Sequence, residues 1–185
     1  LLAFCILITF NYAAIALGVL SLVAVAIYPF AKRFTWWPQV FLGLAFNWGA
    51  LLLWVAHTGS MALPAVLLYL AGIAWTLHYD TIYAHQDRED DALIGVKSTA
   101  RLFGEATTRW LWGFTAATIL LAGGAVLTAG VHPIGLLGVA GLGAHMTWQI
   151  VRLDIDDPAR CLMLFRATRW GGIALTACLA LASLL

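Results

Sequence analysis

Residues 62–104 read ALPAVLLYLAGIAWTLHYDTIYAHQDREDDALIGVKSTARLFG, and the fold turns on how this stretch divides. Its first part, Ala62–Ala84, is long and apolar enough to cross a bilayer as one helix, which takes about 20 residues. The remainder is the most highly charged part of the chain. Five of the nine acidic residues, Asp80, Asp87, Glu89, Asp90 and Asp91, lie between Tyr79 and Gly104. A chain that avoids charge almost everywhere gathers it at the end of an apolar helix.

The setting comes from composition. The 185 residues are 63% hydrophobic and 10% charged, with a mean hydropathy of +0.91, whereas roughly a quarter of the residues in ordinary soluble domains are charged. This predicts an all-α, polytopic transmembrane helix bundle with the lipid bilayer as its partner. Apolar runs of spanning length occur at Tyr12–Ala31, Trp37–Ala56, Ala62–Ala84, Thr107–Gly130, Pro133–Val151 and Cys161–Leu185, with Pro and Gly punctuating the turns. The opening LLAFCILITF is apolar but too short to span. With no initiator Met, positively charged n-region or cleavage site, the chain is expected to begin inside a helix. A formal net charge of +1 excludes a strongly basic nucleic-acid binder and a strongly acidic tail. Cys5, Cys161 and Cys178 are far apart and lie in or beside apolar runs, which fits small buried side chains better than a metal or disulfide framework.

Alternate turns of such a bundle face opposite sides of the bilayer, and every charge falls on one side. Lys32 and Arg33 follow the first span, Arg88, Lys97, Arg101 and Arg109 the third, and Arg152, Arg160, Arg166 and Arg169 the fifth. The acids Asp80, Asp87, Glu89, Asp90, Asp91, Glu105, Asp154, Asp156 and Asp157 share that side. The intervening turns HTGSMALP and AGVHP carry no charged residue except histidine. The positive-inside rule places the charged face in the cytoplasm or its organellar equivalent.

If the third span continues as a helix, Asp80, Asp87 and Asp91 fall at i, i+7 and i+11, within about 40° of one another. Tyr83 and Ala84 flank that stripe. Carboxylates so placed repel unless a cation lies between them, and Mg²⁺ suits Asp87 and Asp91 at i and i+4, since it takes one or two carboxylates together with substrate phosphates. Asp80, nearer the hydrocarbon, is costly to ionise there and is a functional candidate for that reason. Lys97 and Arg101, one turn apart, are candidate counter-charges for phosphate, and Lys32 and Arg33 either face the same cavity or serve only as a topology signal. The pattern is that of a Mg²⁺-diphosphate site. His57, His78, His85, His132 and His145 read as packed or interfacial histidines, with His78 and His85 bracketing the stripe. Asn47 reads as interhelical glue.

YDTIYAHQDREDDALIGVKSTARLFG resembles the second aspartate-rich motif, DxxYAxxDxxxD followed by GxKSTA, of the UbiA superfamily of intramembrane aromatic prenyltransferases. IYPFAKRFTWWPQVFLG is similar to that family's YPxxKRxTxxPQxxLG segment, and WQIVRLDIDDPARCLMLFRATRWGG to its penultimate turn and last helix. The likeness is strongest to the 4-hydroxybenzoate polyprenyltransferases of ubiquinone synthesis. It departs in two places. The family's earlier NDxxDxxxD motif has no counterpart, so residues 1–185 are expected to be one transmembrane prenyltransferase domain truncated at its N-terminus. Thr168 stands where the family usually has Asn.

The resemblance implies Mg²⁺-dependent transfer of a polyprenyl group from polyprenyl diphosphate to the ring of 4-hydroxybenzoate. In that reaction Asp87 and Asp91 would hold the metal, Lys97, Arg101, Lys32 and Arg33 the diphosphate, and Asp80 and Tyr83 would position or stabilise the reacting groups. The implied location is a bacterial inner membrane with the active face cytoplasmic, or the mitochondrial inner membrane in a eukaryote. Two other readings stay open. One is a family member with a naphthoate, haem or chlorophyllide acceptor. The other is a non-enzymatic cation-carrying bundle, which would place its acids at mid-membrane or on both faces.

Overall fold

A computed structural model describes residues 2–185. The helices in chain order are α1 (Leu2–Leu7), α2 (Tyr12–Ile27), α3 (Ala31–Phe34), α4 (Pro38–Phe46), α5 (Gly49–Thr58), α6 (Leu63–Ala84), α7 (Arg88–Leu93), α8 (Thr99–Phe103), α9 (Thr107–Ala129), α10 (Ile134–Arg152) and α11 (Pro158–Leu184). Joined across short breaks, they give six membrane-length segments: Tyr12–Phe34, Pro38–Thr58, Leu63–Ala84, Thr99–Ala129, Ile134–Arg152 and Pro158–Leu184. The six spans read from hydropathy are the same six, with ends shifted by a few residues except where α8 lengthens the fourth. The chain is a multi-span membrane protein.

Local chemistry sets the ends. Pro38 and Pro158 begin α4 and α11 and Pro64 is the second residue of α6, first-turn positions where a missing N–H costs nothing. Gly59 and Gly130 close α5 and α9 at φ of 81° and 66°, a conformation that glycine adopts without strain. The second segment is interrupted at Asn47, whose Nδ2 donates back to Gly43 O and across to Thr76 Oγ1 on α6, both at 2.9 Å. The expected interhelical glue is there, and it fastens the break to the central helix.

That centre is α6, which packs against α9, α4, α11 and α5, while α10 lies against α9 and α11. Small residues permit the close approaches that association within a membrane favours. A Cβ at Gly138 of α10 would stand 2.7 Å from Cys178 Cβ of α11. The three charged turns converge on one face. Lys97 N–H donates to Lys32 O at 3.0 Å, and Arg88 Nη2 meets Asp156 Oδ1 at 2.8 Å.

Cys5, expected to be buried, is exposed, and two larger sequence expectations need correction. The helix does not run through the acidic stretch: α6 ends at Ala84, His85–Asp87 form a turn, and α7 begins at Arg88. Asp80, Asp87 and Asp91 therefore do not share one continuous helical face. The reason lies in DREDD, which puts Asp at the residue preceding α7 and Glu89, Asp90 and Asp91 in its first turn. Acids favour the positive end of a new helix over the interior of an old one. The second correction concerns Arg166 and Arg169. They do not lie in the turn after the fifth span, because α11 starts at Pro158 and carries both within its length.

Candidate active site

The turn at His85–Asp87 leaves the two motif acids in different surroundings. Asp91 is 5% exposed and meets Lys32, whose Nζ lies 3.1 and 3.2 Å from its two carboxylate oxygens. The ion pair links the YPFAKR turn to α7. Asp91 N–H also donates to Asp87 O at 2.8 Å, so these two residues keep the spacing of one helical turn. The Asp87 carboxylate has no hydrogen bond or ion pair among the described residues.

Asp80, one turn before the end of α6, faces Lys32 and the amide of Gln39. Gln39 is 2% exposed, and its Oε1 has no hydrogen-bond partner. Tyr28 stands within electrostatic reach of Asp80, Lys32 and Tyr83. The Tyr83 ring lies on Phe165 of α11, with centroids 4.5 Å apart. One cluster therefore joins Tyr28 and Lys32 from the first charged turn, Gln39 from α4, Asp80 and Tyr83 from α6, and Asp91 from α7.

The remaining cations are placed less uniformly. Arg101 Nη1 donates to the carbonyls of Asp91 and Val96, and its guanidinium lies over Trp36 at 5.4 Å. This pins the GVKS loop. Lys97 Nζ donates to Phe34 O at 3.4 Å and also approaches Trp36, at 5.9 Å. Arg33 is exposed, with its guanidinium 6.0 Å from the Phe30 ring. Of the four expected phosphate ligands, Lys32 and Lys97 border the cluster, Arg101 holds its loop, and Arg33 stands outside.

His85 closes the site from behind. It is buried, and its Nε2 lies 3.0 Å from Thr107 Oγ1. The Thr107 hydroxyl proton is already donated to Gly104 O at 2.7 Å, so His85 must be the donor, which leaves its Nδ1 without a partner. Burial, reinforced by the positive charge of Arg88 and opposed by Asp156, lowers the His85 pKa from 6.5 to about 4. The ring is neutral at physiological pH. His78 is fully buried with both nitrogens unpartnered, as a packed histidine on the inner face of α6.

Mg²⁺ commonly takes one or two protein carboxylates together with phosphate oxygens and water. An unpartnered Asp87 one turn from Asp91 fits that demand. No group of three or more His, Cys, Asp or Glu able to hold a metal occurs among the described residues. The fit is to a cation shared with a phosphate ligand, not to a closed protein cage.

Sequence reasoning missed Tyr28, Gln39 and the Lys32–Asp91 pair. Gln39 lies in the quoted TWWPQ stretch, and a polar side chain entering an apolar span was the available signal. The pair joins residues 59 positions apart, and nothing local announces it.

A sequence profile described as the UbiA prenyltransferase family matches residues 1–183. The chain is 50% identical over 178 residues to the Bos taurus protein named 4-hydroxybenzoate polyprenyltransferase, mitochondrial, covering 93% of this chain and 47% of the relative. Proteins of the same name in Drosophila melanogaster and Homo sapiens are each 49% identical, over 97% and 93% of this chain and 46% and 47% of their own length. The chain thus spans about half the length of the curated relatives it matches. Among solved structures, a UbiA homolog from Aeropyrum pernix K1 superposes with a TM-score of 0.79 at 22% identity, covering 96% of this chain and 67% of that one. At that identity the likeness speaks for the fold.

Proposed function

The chain belongs to the UbiA prenyltransferase family, and on that premise we propose that the protein carrying it transfers a polyprenyl group from polyprenyl diphosphate to the ring of 4-hydroxybenzoate, a step of ubiquinone synthesis. Half identity to relatives that bear that activity in their name supports the substrate pair. The structural observation that carries the reading is the Lys32–Asp91 pair beside an unpartnered Asp87. It joins two motifs far apart in sequence at the end of an apolar bundle, where a lipid diphosphate has its head at the charged face and its tail in hydrocarbon.

Asp87 and Asp91 are the residues that would hold Mg²⁺. Bound there, the cation would neutralise the diphosphate and stabilise the charge that develops on it. Lys32 orients Asp91 and, with Lys97, adds positive charge beside the departing group. The allylic C–O bond breaks, the diphosphate leaves with the electron pair, and the carbon left behind is cationic. Tyr83 and Phe165 lie ring against ring at this level of the bundle, and aromatic rings attract cations in a site that excludes water. The ring carbon ortho to the acceptor's hydroxyl forms the new C–C bond, and the proton on that carbon is then lost. Asp80, held between Lys32 and Gln39, is the carboxylate nearest the apolar side and the candidate to position the acceptor or stabilise the cation.

The membrane is proposed to be the mitochondrial inner membrane or a bacterial inner membrane, with the charged face on the matrix or cytoplasmic side. Relatives named as mitochondrial support the first of these for a eukaryotic source. Membranes containing the complete protein, given labelled 4-hydroxybenzoate, a long polyprenyl diphosphate and Mg²⁺, are expected to yield prenylated product, and EDTA to stop its formation. Product from 1,4-dihydroxy-2-naphthoate alone would move the acceptor to another branch of the family. Product from neither acid, together with cation flux, would favour a carrier.

A further inference from the structure

A polar cavity of about 210 Å³ lies between the start of α7 and the turn that joins α10 to α11, and its lining includes His85, Gln86, Arg88, Glu89, Asp90 and Asp156. It is separate from the Asp87, Asp91 and Lys32 cluster, none of whose residues line it. Two buried polar atoms in its walls have no protein partner. His85 is 3% exposed, its Nε2–H is taken by Thr107, outside the lining, and its Nδ1 keeps a free lone pair. Gln86 Oε1 is likewise buried and unpartnered. Both atoms are acceptors. Buried polar groups are ordinarily hydrogen-bonded, so each of the two calls for a donor.

The charge of the lining narrows the ligand class. Arg88 and Asp156 neutralise each other at 2.8 Å, whereas Glu89 and Asp90 are exposed and enter no ion pair among the described residues. An anion would meet these two carboxylates. A coordinated metal needs more convergent ligands, since no group of three or more His, Cys, Asp or Glu able to hold one occurs among the described residues. A neutral donor would satisfy the two acceptors and leave the acids unanswered. A positive group that carries N–H donors answers both. The volume is below the roughly 300–1,000 Å³ typical of sites for drug-sized ligands and has room for a small head group.

We propose that this cavity binds a primary ammonium group, with His85 Nδ1 and Gln86 Oε1 accepting its N–H bonds and Glu89 and Asp90 supplying the counter-charge. A small soluble amine and the head group of an amino-phospholipid share that chemistry. The place of the cavity gives occupancy a consequence. Its walls come from the first turn of α7 and from the α10–α11 turn, so a bound cation ties the two together beside Asp87, the residue immediately before α7. The site goes beyond the proposed prenyl transfer and does not depend on it.

The test uses the complete protein in phosphatidylcholine nanodiscs, in amine-free buffer at fixed pH and ionic strength, read by calorimetric titration and thermal midpoint. Ethylammonium should bind saturably and raise the midpoint, whereas tetramethylammonium, of equal charge but without N–H, should do neither. Gln86→Leu should weaken ethylammonium binding about tenfold or more, the range for a hydrogen bond to a charged group. The paired change Glu89→Gln, Asp90→Asn, at exposed positions, should weaken it several-fold and leave the midpoint of the amine-free protein in place. Nanodiscs containing phosphatidylethanolamine separate the two sources. A raised midpoint that soluble amine no longer increases, and that the acid variant loses, identifies the lipid head group, while an unchanged response to soluble amine identifies a free amine. Either outcome supports the site. Equal responses to the two cations would reduce the effect to charge screening, and no saturable ethylammonium binding would leave water as the occupant. Each of these would overturn the proposal, as would full binding in both the Gln86 and the acid variants.

Discussion

Two acidic turns lie on the same face of this bundle, and they use their carboxylates differently. In DIDD, residues 154–157, each Asp serves nearby structure or the surface. Asp154 Oδ1 accepts from Asp156 N at 3.2 Å, Asp157 Oδ1 accepts from Arg160 N at 3.0 Å and caps α11, and Asp156 pairs with Arg88 at an exposed edge. In DREDD, residues 87–91, Asp91 is buried against a lysine 59 positions away, and Asp87 has no partner among the described residues. Composition alone does not separate the two turns. What separates them is whether a carboxylate satisfies its own helix or is held for something else. The first use contributes stability and the second leaves charge available for a ligand.

The largest expected effect is the loss of that available charge. Asp87→Ala in the complete protein should lower turnover by a factor of about a hundred or more, the scale for removing one electrostatic contact to a developing anion. Because Asp87 serves as no side-chain cap, its thermal midpoint in nanodiscs should hardly move. The matched change Asp90→Ala, at an exposed position, should cost far less activity. Equal losses at the two positions would erase the distinction between the turns.

Lys32→Gln addresses the buried half of the pair. It leaves the Asp91 carboxylate, 7% exposed, without its partner, while the lysine itself is 46% exposed and water softens the loss. The expected destabilisation is on the order of 2 kcal/mol, with a fall in turnover as Asp91 loses its orientation. The double variant Lys32→Gln, Asp91→Asn should regain stability without regaining activity. If Asp91→Asn alone is as stable as the wild type and fully active, the pair has no role in the site.

The contrast also explains what could be read in advance. The six spans were legible because they depend on apolar length, and the one-sided charge was legible because successive turns must face opposite sides of the bilayer. Asn47 was legible as glue since an amide within an apolar span needs a partner. The course of the acidic stretch was not, because a periodicity argument assumes one helix, and DREDD is also a good start for a new one. Asp87 and Asp91 stand out as candidates by their spacing, but their separate surroundings depend on Lys32 folding back from the preceding charged turn. Arg166 and Arg169 were counted with a turn for their charge, although the apolar run read from Cys161 already holds both and Pro158 starts α11 earlier still.

On the DIDD side the effects should be structural and smaller. Asp157→Ala removes the side-chain cap of α11 and should cost about 1 kcal/mol, read as a lower thermal midpoint with turnover per folded molecule unchanged. A disproportionate loss of activity would mean that α11 transmits its N-terminal order to Phe165 and, through it, to Tyr83.

The smallest effect is expected at the contact between the two turns. Arg88 and Asp156 form an exposed pair, worth about 0–1 kcal/mol, and both act on buried His85. Its folded pKa, about 4, lies below the ordinary 6.5. The unfolded chain therefore binds a proton first as pH falls. Stability from the neutral ring is fully present above about 6.5, declines as pH drops through the window, and is lost at about 4. Asp156 favours the imidazolium and Arg88 opposes it. Asp156→Asn should thus lower the folded pKa of His85 further and extend the acid end of the window below 4, with neutral-pH activity unchanged. Arg88→Gln should shift that end upward. Thermal midpoints of both variants and of His85→Gln, followed from pH 7.5 to 4, provide the check, and His85→Gln should flatten this part of the profile. If the Asp156 and Arg88 variants move the acid limb the same way, the two turns do not act on His85 as opposed charges, and the pH dependence arises elsewhere on the charged face.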